Sequence, residues 1–321
     1  MHGDDDWMTA AAALAARGRP LSRPNPAVAA VIVAGDRVVG RGFTQPGGRP
    51  HAEAAALAMA GAAAHGATLY VTLEPCAHRS ARGPACADLV VAAGLARVVI
   101  GCTDPDPRTA GAGIARLRQA GIAVAVLDHA GARASLAGYL LRQADGRPHV
   151  TLKLATSLDG RIALPSGESR WITGAIARAH VHACRARADA IVVGGGTLRA
   201  DAPRLDVRLP GLASRSPERW VLTQGSAPEG WRAVADITAR NAFGTAQYLY
   251  VEGGAGAAAT FLAADRVDRL MVYRAPIVLG AGLASVGDIG LDRLDAAHGR
   301  WCHVAQADLG SDTLDIYDRI R

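Results

Sequence analysis

Lysine is almost missing from this chain. Of its 35 basic residues only Lys153 is a lysine and the rest are arginine, a bias that makes the exception a candidate functional group. Aromatic residues are also scarce, at 4 % of 321 residues. With the arginines scattered, the net charge of +6 therefore fits small phosphorylated ligands better than a stacking nucleic-acid platform. Cysteine occurs five times, an odd number without the spacing of a disulfide framework, so the chain suits a reducing compartment with thiols free for metal. No apolar run reaches a membrane-spanning length, because Arg, His or Gly interrupts the alanine-rich stretches. The first residues carry Asp4, Asp5 and Asp6, the opposite of a basic export signal. These absences point to a cytoplasmic protein without a membrane partner.

What is present is half hydrophobic and one-fifth charged, enough to fold throughout, and the length suits two domains with separate cores. Helical and extended patterns alternate. Helices are expected over Trp7–Arg17, Ala52–Ala64, Cys86–Ala93, Gly111–Ala120 and Ala130–Leu141, and strands over Val28–Val33, Arg37–Phe43, Thr68–Leu73, Arg97–Gly101 and Val124–Leu127. That alternation argues for a three-layer α/β domain. Arg142–Pro148 reads as a charged linker, placing the boundary near Gly146, with domains at 1–145 and 146–321. Beyond it come a strand at His149–Ser157, a helix at Ala175–Ala186, and strands at Ala190–Val193, Trp220–Leu222 and Tyr248–Val251. A helix to Ala264 follows.

The chemistry-bearing stretch of the first half is His51-Ala52-Glu53 followed by Glu74-Pro75-Cys76. A histidine, a glutamate two places on and a cysteine after proline form the front of a zinc deaminase signature. Cys86 is the nearby thiolate that completes it. His51, Cys76 and Cys86 would then hold one zinc and leave a fourth tetrahedral position for a water, whose pKa falls to about 7. Glu53 can take the water proton, protonate a ring nitrogen and hand a proton to the departing ammonia. Each piece alone is more often structural; the joint pattern is what carries the reading.

In the second half two strands run into glycines and then helices, at Gly194-Gly195-Gly196-Thr197 and at Glu252-Gly253-Gly254-Ala255-Gly256. Such passages offer backbone amides to a pyrophosphate, but neither has the dinucleotide fingerprint. The glycines alone leave cofactor binding and a plain strand end equally open.

Taken together, Pro24-Asn25-Pro26, His51-Ala52-Glu53, Val71-Thr72-Leu73-Glu74-Pro75-Cys76-Ala77-His78, Asp104-Pro105-Asp106-Pro107 and Thr151-Leu152-Lys153-Leu154-Ala155-Thr156-Ser157-Leu158-Asp159-Gly160-Arg161 resemble the bifunctional deaminase/reductase of riboflavin biosynthesis. The likeness spans nearly the whole chain. It implies a cytidine-deaminase-like domain acting on a ribosylated diaminopyrimidinone 5′-phosphate and releasing ammonia. It further implies a dihydrofolate-reductase-like domain in which NADPH delivers hydride to C1′, converting the ribosylamino side chain to ribitylamino. Carried over by position, Lys153, Thr156, Trp171, Thr197, Asp201 and the segment Gly254, Ala255, Gly256, Ala257, Ala258, Ala259 and Thr260 match cofactor contacts. Asn25, Ser169, Arg185, Leu205, Arg208 and Glu252 match substrate contacts, with the two arginines suited to a phosphate. Two departures stand out. Cys76 and Cys86 enclose nine residues where the family usually has eight, and Ala202 stands where a second aspartate is common.

Two other classes share part of the pattern. A nucleic-acid base deaminase uses the same His-Ala-Glu and Pro-Cys chemistry but leaves residues 149–321 without a role, and a protein keeping only one of the two activities is a variant of the leading reading. A non-catalytic assembly protein would not need Glu53. A homo-oligomer is compatible with the family.

Overall fold

The computed structural model describes residues 2–78 and 82–321, so residues 79–81 of the loop between Cys76 and Cys86 lie outside the described residues. Contacts divide the chain into two compact units, Met1–Gly146 and Arg147–Arg321.

The first unit runs α1 (Asp4–Ala15), β1 (Ala29–Ala34), β2 (Arg37–Phe43), α2 (Ala52–Ala60), β3 (Thr68–Val71), α3 (Cys86–Ala92), β4 (Arg97–Ile100), α4 (Ala112–Gln119), β5 (Ala123–Val126), α5 (Ala130–Ser135) and α6 (Ala137–Asp145). Among the described residues its strands form one sheet, β2-β1-β3-β4-β5, antiparallel as far as β3 and parallel from there on. The inner strands β1, β3 and β4 bury both faces, while the edge strands β2 and β5 are partly exposed. Ile32, Leu69, Val98 and Ile100 pack against α2, α3, α4 and α6, while Val31, Val33, Tyr70 and Val99 pack against Met8 and Ala11 of α1 and Ala132 of α5. Each large side chain so buried stabilises the fold by about 1.5–3 kcal/mol.

Asp4, Asp5 and Asp6 form the first turn of α1, where carboxylates complement the helix dipole. Asp4 accepts two hydrogen bonds from Arg97, at 2.8 and 2.6 Å, and one from the Tyr70 hydroxyl at 2.9 Å. Glycine decides how closely α2 lies on β2. A Cβ at Gly42 would stand 2.5 Å from the Ala52 carbonyl oxygen and 2.6 Å from the Ala56 nitrogen, so the helix start is seated directly on the strand.

The second unit runs β6 (His149–Thr156), β7 (Arg161–Ala163), α7 (Ala175–Arg185), β8 (Ala190–Gly194), α8 (Gly195–Asp201), β9 (Glu218–Leu222), β10 (Arg232–Val234), β11 (Tyr248–Val251), α9 (Ala255–Ala263), β12 (Arg269–Arg274), β13 (Leu283–Ala284), β14 (Trp301–Leu309) and β15 (Asp312–Arg319). Its main sheet has the order β10-β9-β8-β11-β6-β12-β15-β14, parallel from β10 to β12 and closed by the antiparallel β15 and β14. One face packs on α9 through Leu152, Val192, Val251 and Phe261; the other packs on α7 through Ile191, Tyr250, Tyr273 and Val181. Buried carboxylates fix where the central strands begin. Asp189 accepts the amides of Gln247 and Tyr248 at 2.8 Å each, and Asp268 accepts that of Val150 at 2.8 Å.

The structure departs from the sequence expectations in three places. The helix expected over Ala130–Leu141 is two helices divided at Leu136, and the second continues through Arg142 to Asp145 before Gly146 ends it with φ 68°. The expected linker is thus half helix. The helix expected after the Gly194–Gly196 turn already begins at Gly195, inside it, and β12, β13, β14 and β15 follow the last element the sequence suggested. No described helix is long and apolar enough to cross a membrane.

Candidate active sites

The candidate metal-ligating residues of the first unit come from two helix starts and the loop that follows β3. His51 is the N-cap of α2, Cys86 opens α3, and Cys76 lies in the segment after β3. His51 Nδ1 lies 3.7 Å from Cys76 Sγ and 3.3 Å from Cys86 Sγ, and the three donor atoms all lie within 4.8 Å of one another. Zinc bonds of ordinary length at a tetrahedral angle separate nitrogen from sulfur by about 3.6 Å, so the spacing fits that ion. The two thiols are arranged so that one gives up its proton while the other keeps its own to donate as a sulfur–hydrogen bond. Cys76 is pulled down to about 4 by the hydrogen bond from Cys86, helped by His51 and by the Cys86 amide, which donates to its sulfur at 3.3 Å. Serving as that donor, with burial and Glu53 behind it, pushes Cys86 up. One thiolate therefore forms readily, and a bound cation favours the second.

Glu53 is 3 % exposed and shares the inner side of α2 with Ala52 and Ala56. Burial is the main reason its pKa rises above the usual carboxyl value, with His51 opposing and Cys76 adding to the rise. A carboxyl so placed can both take and return a proton. Asn25 approaches the histidine from the side away from the sulfurs, with Nδ2 3.2 Å from His51 Nε2 and donating to the Gly48 carbonyl at 3.0 Å. Such a partner fixes the orientation of a metal-facing ring.

In the second unit the parallel strands β8 and β11 are neighbours, so their glycine passages lie side by side at the strands' C-terminal ends. The Gly254 amide donates to the Thr197 hydroxyl at 3.3 Å and caps α9. No heavy atom stands within 4 Å of where a Cβ would sit on Gly196 or Gly256, leaving these amide-bearing turns open to a phosphate. Ala257, Ala258 and Ala259 are buried, Ala258 within the core, so only their backbone is available to a ligand, whereas Thr260 is exposed. Asp201 accepts from Arg170 at 3.3 Å, and the neighbouring Trp171 is 65 % exposed with Arg178 stacked 4.8 Å from its ring. Ser169 is half-buried on the same segment, two residues before Trp171.

A charged cluster lies on the α7 face of the sheet. Arg185 grips Glu252 with two hydrogen bonds, Nε to Oε1 at 2.6 Å and Nη2 to Oε2 at 2.8 Å. Burial alone would raise the Glu252 pKa; Arg185, with Lys153 and His182, outweighs it and holds the carboxyl below its usual range. Lys153 faces the same side of the sheet, because Val251 pairs with Leu152 and Glu252 follows Val251. Its pKa is pushed down by burial and by Arg185, against the pull of Glu252. Thr156 has the opposite parity on β6 and is buried. Leu205 has a left-handed φ of 56° and sends its side chain into the core, leaving its main chain for any ligand. Arg208 is half-exposed and stands against His182.

Comparison with known proteins adds the family. Residues 1–102 match the cytidine and deoxycytidylate deaminase zinc-binding region, and residues 148–247 and 244–307 match the RibD C-terminal domain. The riboflavin biosynthesis protein RibD of Escherichia coli (strain K12) is 38 % identical over 341 residues, covering 91 % of this chain and 93 % of that one. Its counterpart from Mycobacterium tuberculosis (strain ATCC 25618 / H37Rv) is 39 % identical over 308 residues, covering 91 % and 90 %. Among solved structures, Acinetobacter baumannii RibD superposes with a TM-score of 0.86 at 34 % identity and 99 % coverage of both chains. The chain belongs to the RibD family. It is accordingly a bifunctional deaminase and reductase of riboflavin biosynthesis, with a zinc-binding, cytidine-deaminase-like domain followed by an NADPH-dependent domain of dihydrofolate-reductase-like fold.

Several residues around the RibD-type sites carry no role in the sequence reading. Glu74 is 3 % exposed and accepts the amides of Asp104 at 3.3 Å and of Gly111 and Ile114 at 3.1 Å each, tying the start of α4 to the chain just before Cys76. Asp104 in turn accepts from the Tyr139 hydroxyl at 2.8 Å. His78 has a buried Nδ1 with no partner among the described residues. On α7, His182 stands one turn before Arg185. That spacing in a helix was the available signal.

Proposed function

We propose that the N-terminal unit deaminates a ribosylated diaminopyrimidinone 5′-phosphate and that the C-terminal unit reduces the deaminated product with NADPH. The convergence of His51 Nδ1, Cys76 Sγ and Cys86 Sγ beside buried Glu53 carries the reading. A similar structure from Thermotoga maritima, 28 % identical with a TM-score of 0.86, bears the name diaminohydroxyphosphoribosylaminopyrimidine deaminase/5-amino-6-(5-phosphoribosylamino)uracil reductase.

In this reading His51, Cys76 and Cys86 would hold zinc, which would supply Lewis acidity and lower the pKa of a water to about 7. Glu53 would carry the first water proton to the ring nitrogen as the C–O bond forms, then move the second, from the hydroxyl now on that carbon, to the amine, so that the C–N bond breaks and ammonia departs. Asn25 keeps the His51 ring aimed and lies close enough to the site to meet substrate. In the second unit the Gly254–Thr260 turn, Thr197, Asp201, Thr156 and Trp171 hold the cofactor, and NADPH supplies hydride for C1′ of the ring-opened sugar. Lys153 stands by the nicotinamide end. Ser169, Arg185, Leu205 through its backbone, Arg208 and Glu252 orient the pyrimidine and its phosphate. We read the partners as small phosphorylated pyrimidines, without nucleic acid, in a cytoplasmic enzyme able to form homo-oligomers.

The test supplies the diaminopyrimidine phosphate and NADPH together and follows ammonia and NADPH separately. Both signals are expected, and Glu53→Gln should keep its zinc while ammonia release falls by roughly 10²–10⁴-fold. Retained ammonia release in that variant would remove Glu53 from the chemistry. Comparable deamination of a tRNA would favour the nucleic-acid reading.

A further inference from the structure

We propose that His182 is a positioning residue of the reductase site, a neutral imidazole that aims the Arg208 guanidinium at the substrate's phosphate. This rests on the reading above that Arg208 meets that anion.

His182 Nδ1 lies 3.1 Å from the Asp206 carbonyl oxygen. Its Nε2 lies 3.3 Å from Arg208 Nε and 3.2 Å from Arg208 Nη2. One tautomer satisfies these contacts: Nδ1–H donates to Asp206, and the Nε2 lone pair accepts both guanidinium N–H groups. The other tautomer would point a ring N–H at the guanidinium and a lone pair at a carbonyl, keeping only the amide of Arg208, 3.3 Å from Nδ1. The imidazole must also be uncharged, since protonation removes its acceptor. Burial, then Arg185 from its own helix and Arg208 from the facing loop, push its pKa below the usual histidine value, against the opposing pull of the Asp206 carbonyl and of Glu252 beyond β11.

The consequence is stereochemical. His182 occupies the Nε/Nη2 edge of Arg208, so the guanidinium's Nη1/Nη2 end is left to fork onto a phosphate. Arg185 has no such freedom, because Glu252 takes its Nε/Nη2 edge and its Nη1 donates to the Asp206 carbonyl at 3.0 Å. That carbonyl serves both residues of α7. It anchors the loop, and His182 then sets the direction of the half-exposed arginine, whose side chain among the described residues otherwise has a 3.9 Å pairing with Asp206 to hold it.

Two substitutions separate the parts of the imidazole. His182→Asn keeps an N–H near Nδ1 for Asp206 but cannot reach Arg208; His182→Gln can place a carbonyl oxygen near Nε2. In the full-length zinc-loaded protein, steady-state reduction of the deaminated pyrimidine phosphate is followed by NADPH oxidation, with NADPH affinity measured by fluorescence to verify the fold. His182→Asn should raise KM for the pyrimidine roughly tenfold, the scale of one charge-assisted hydrogen bond, with the loss falling on KM rather than kcat. His182→Gln should restore most of it. Combining His182→Asn with Arg208→Ala should be no worse than Arg208→Ala alone. A wild-type KM in His182→Asn overturns the proposal, as does equal damage in His182→Asn and His182→Gln or full additivity with Arg208→Ala. An unchanged KM in Arg208→Ala instead removes the substrate role of Arg208 on which the proposal stands.

Discussion

Replacing Glu252 with glutamine isolates the charge at the centre of the reductase cluster while keeping the shape of the side chain. In the native unit this carboxylate takes two short hydrogen bonds from Arg185, and the two side chains are 9 % and 11 % exposed. Breaking one partner of a buried pair leaves the other uncompensated, which costs about 3–5 kcal/mol. Arg185 would remain beside Lys153 without an anion to balance it. For a unit of this size that corresponds to a fall in melting temperature of roughly 6–20 °C. By contrast, Asp206→Asn touches only the longer pairings with the exposed Arg204 at 3.4 Å and the half-exposed Arg208 at 3.9 Å, and should change stability by about 0.5 kcal/mol or less. The pH dependence has a definite sign. The Glu252 pKa is held below its ordinary value of 4.5, so its contribution is fully present above that pH and is lost as pH falls through the folded value. Urea unfolding followed by tryptophan fluorescence suits the measurement, because Trp171, Trp220, Trp231 and Trp301 all lie in the second unit. The difference between wild type and Glu252→Gln should be large at pH 7 and should shrink below pH 4.5. The pair Arg185→Met with Glu252→Leu should recover much of the stability and none of the reduction. A cost below about 1 kcal/mol for Glu252→Gln, or curves that stay parallel in acid, would show that the pair is not the balanced buried unit its geometry describes.

Two further outcomes test the first unit. A chelator should strip about one zinc per chain, the stoichiometry of a site with three protein ligands, and stop ammonia release while reduction of supplied deaminated pyrimidine continues. Metal analysis beside both assays decides it, and continued ammonia release from metal-free protein would refute the site. Gly42→Ala drives a methyl group against the Ala52 carbonyl and the Ala56 nitrogen, so it should cost about 1–3 kcal/mol and lower deamination by shifting the turn that carries His51 and Glu53. A fully active, equally stable variant would show that the start of α2 tolerates displacement.

The sequence makes the local elements of the first unit readable because its strands are short apolar runs separated by turn residues; Arg37–Phe43 falls on the residues expected. Order within the sheets is another matter. Nothing local tells β11 to insert between β8 and β6, since that is decided by Asp189 holding the Gln247 and Tyr248 amides and by packing on both faces. The start of α8 is blurred by its glycines, which read as the turn before a helix although Gly194 caps it and Gly195 and Gly196 are its first residues. The charges of Arg142 and Asp145 suggest a linker, yet both belong to α6, whose Tyr139 is buried. β14 escapes notice because it is exposed along nearly its whole length and lacks the alternation of a half-buried strand.

The candidate sites show the same division between what a residue type announces and what only packing reveals. His51 and Cys86 stand at helix starts, where the dipole favours thiolate and carboxylate, and their spacing betrays them because metal chemistry demands those side chains. His182 and Arg185 stand in the last turn of α7, where the dipole favours cations instead. In a chain whose basic side chains are nearly all arginine, neither Arg185 nor Arg208 is distinguishable by type. Their separate roles come from their partners: Glu252 consumes the charge and fork of Arg185, whereas an uncharged histidine holds one edge of Arg208 and leaves its charge intact. Anion affinity in this unit is therefore set less by how many arginines surround the site than by which of them is paired with a neutral group.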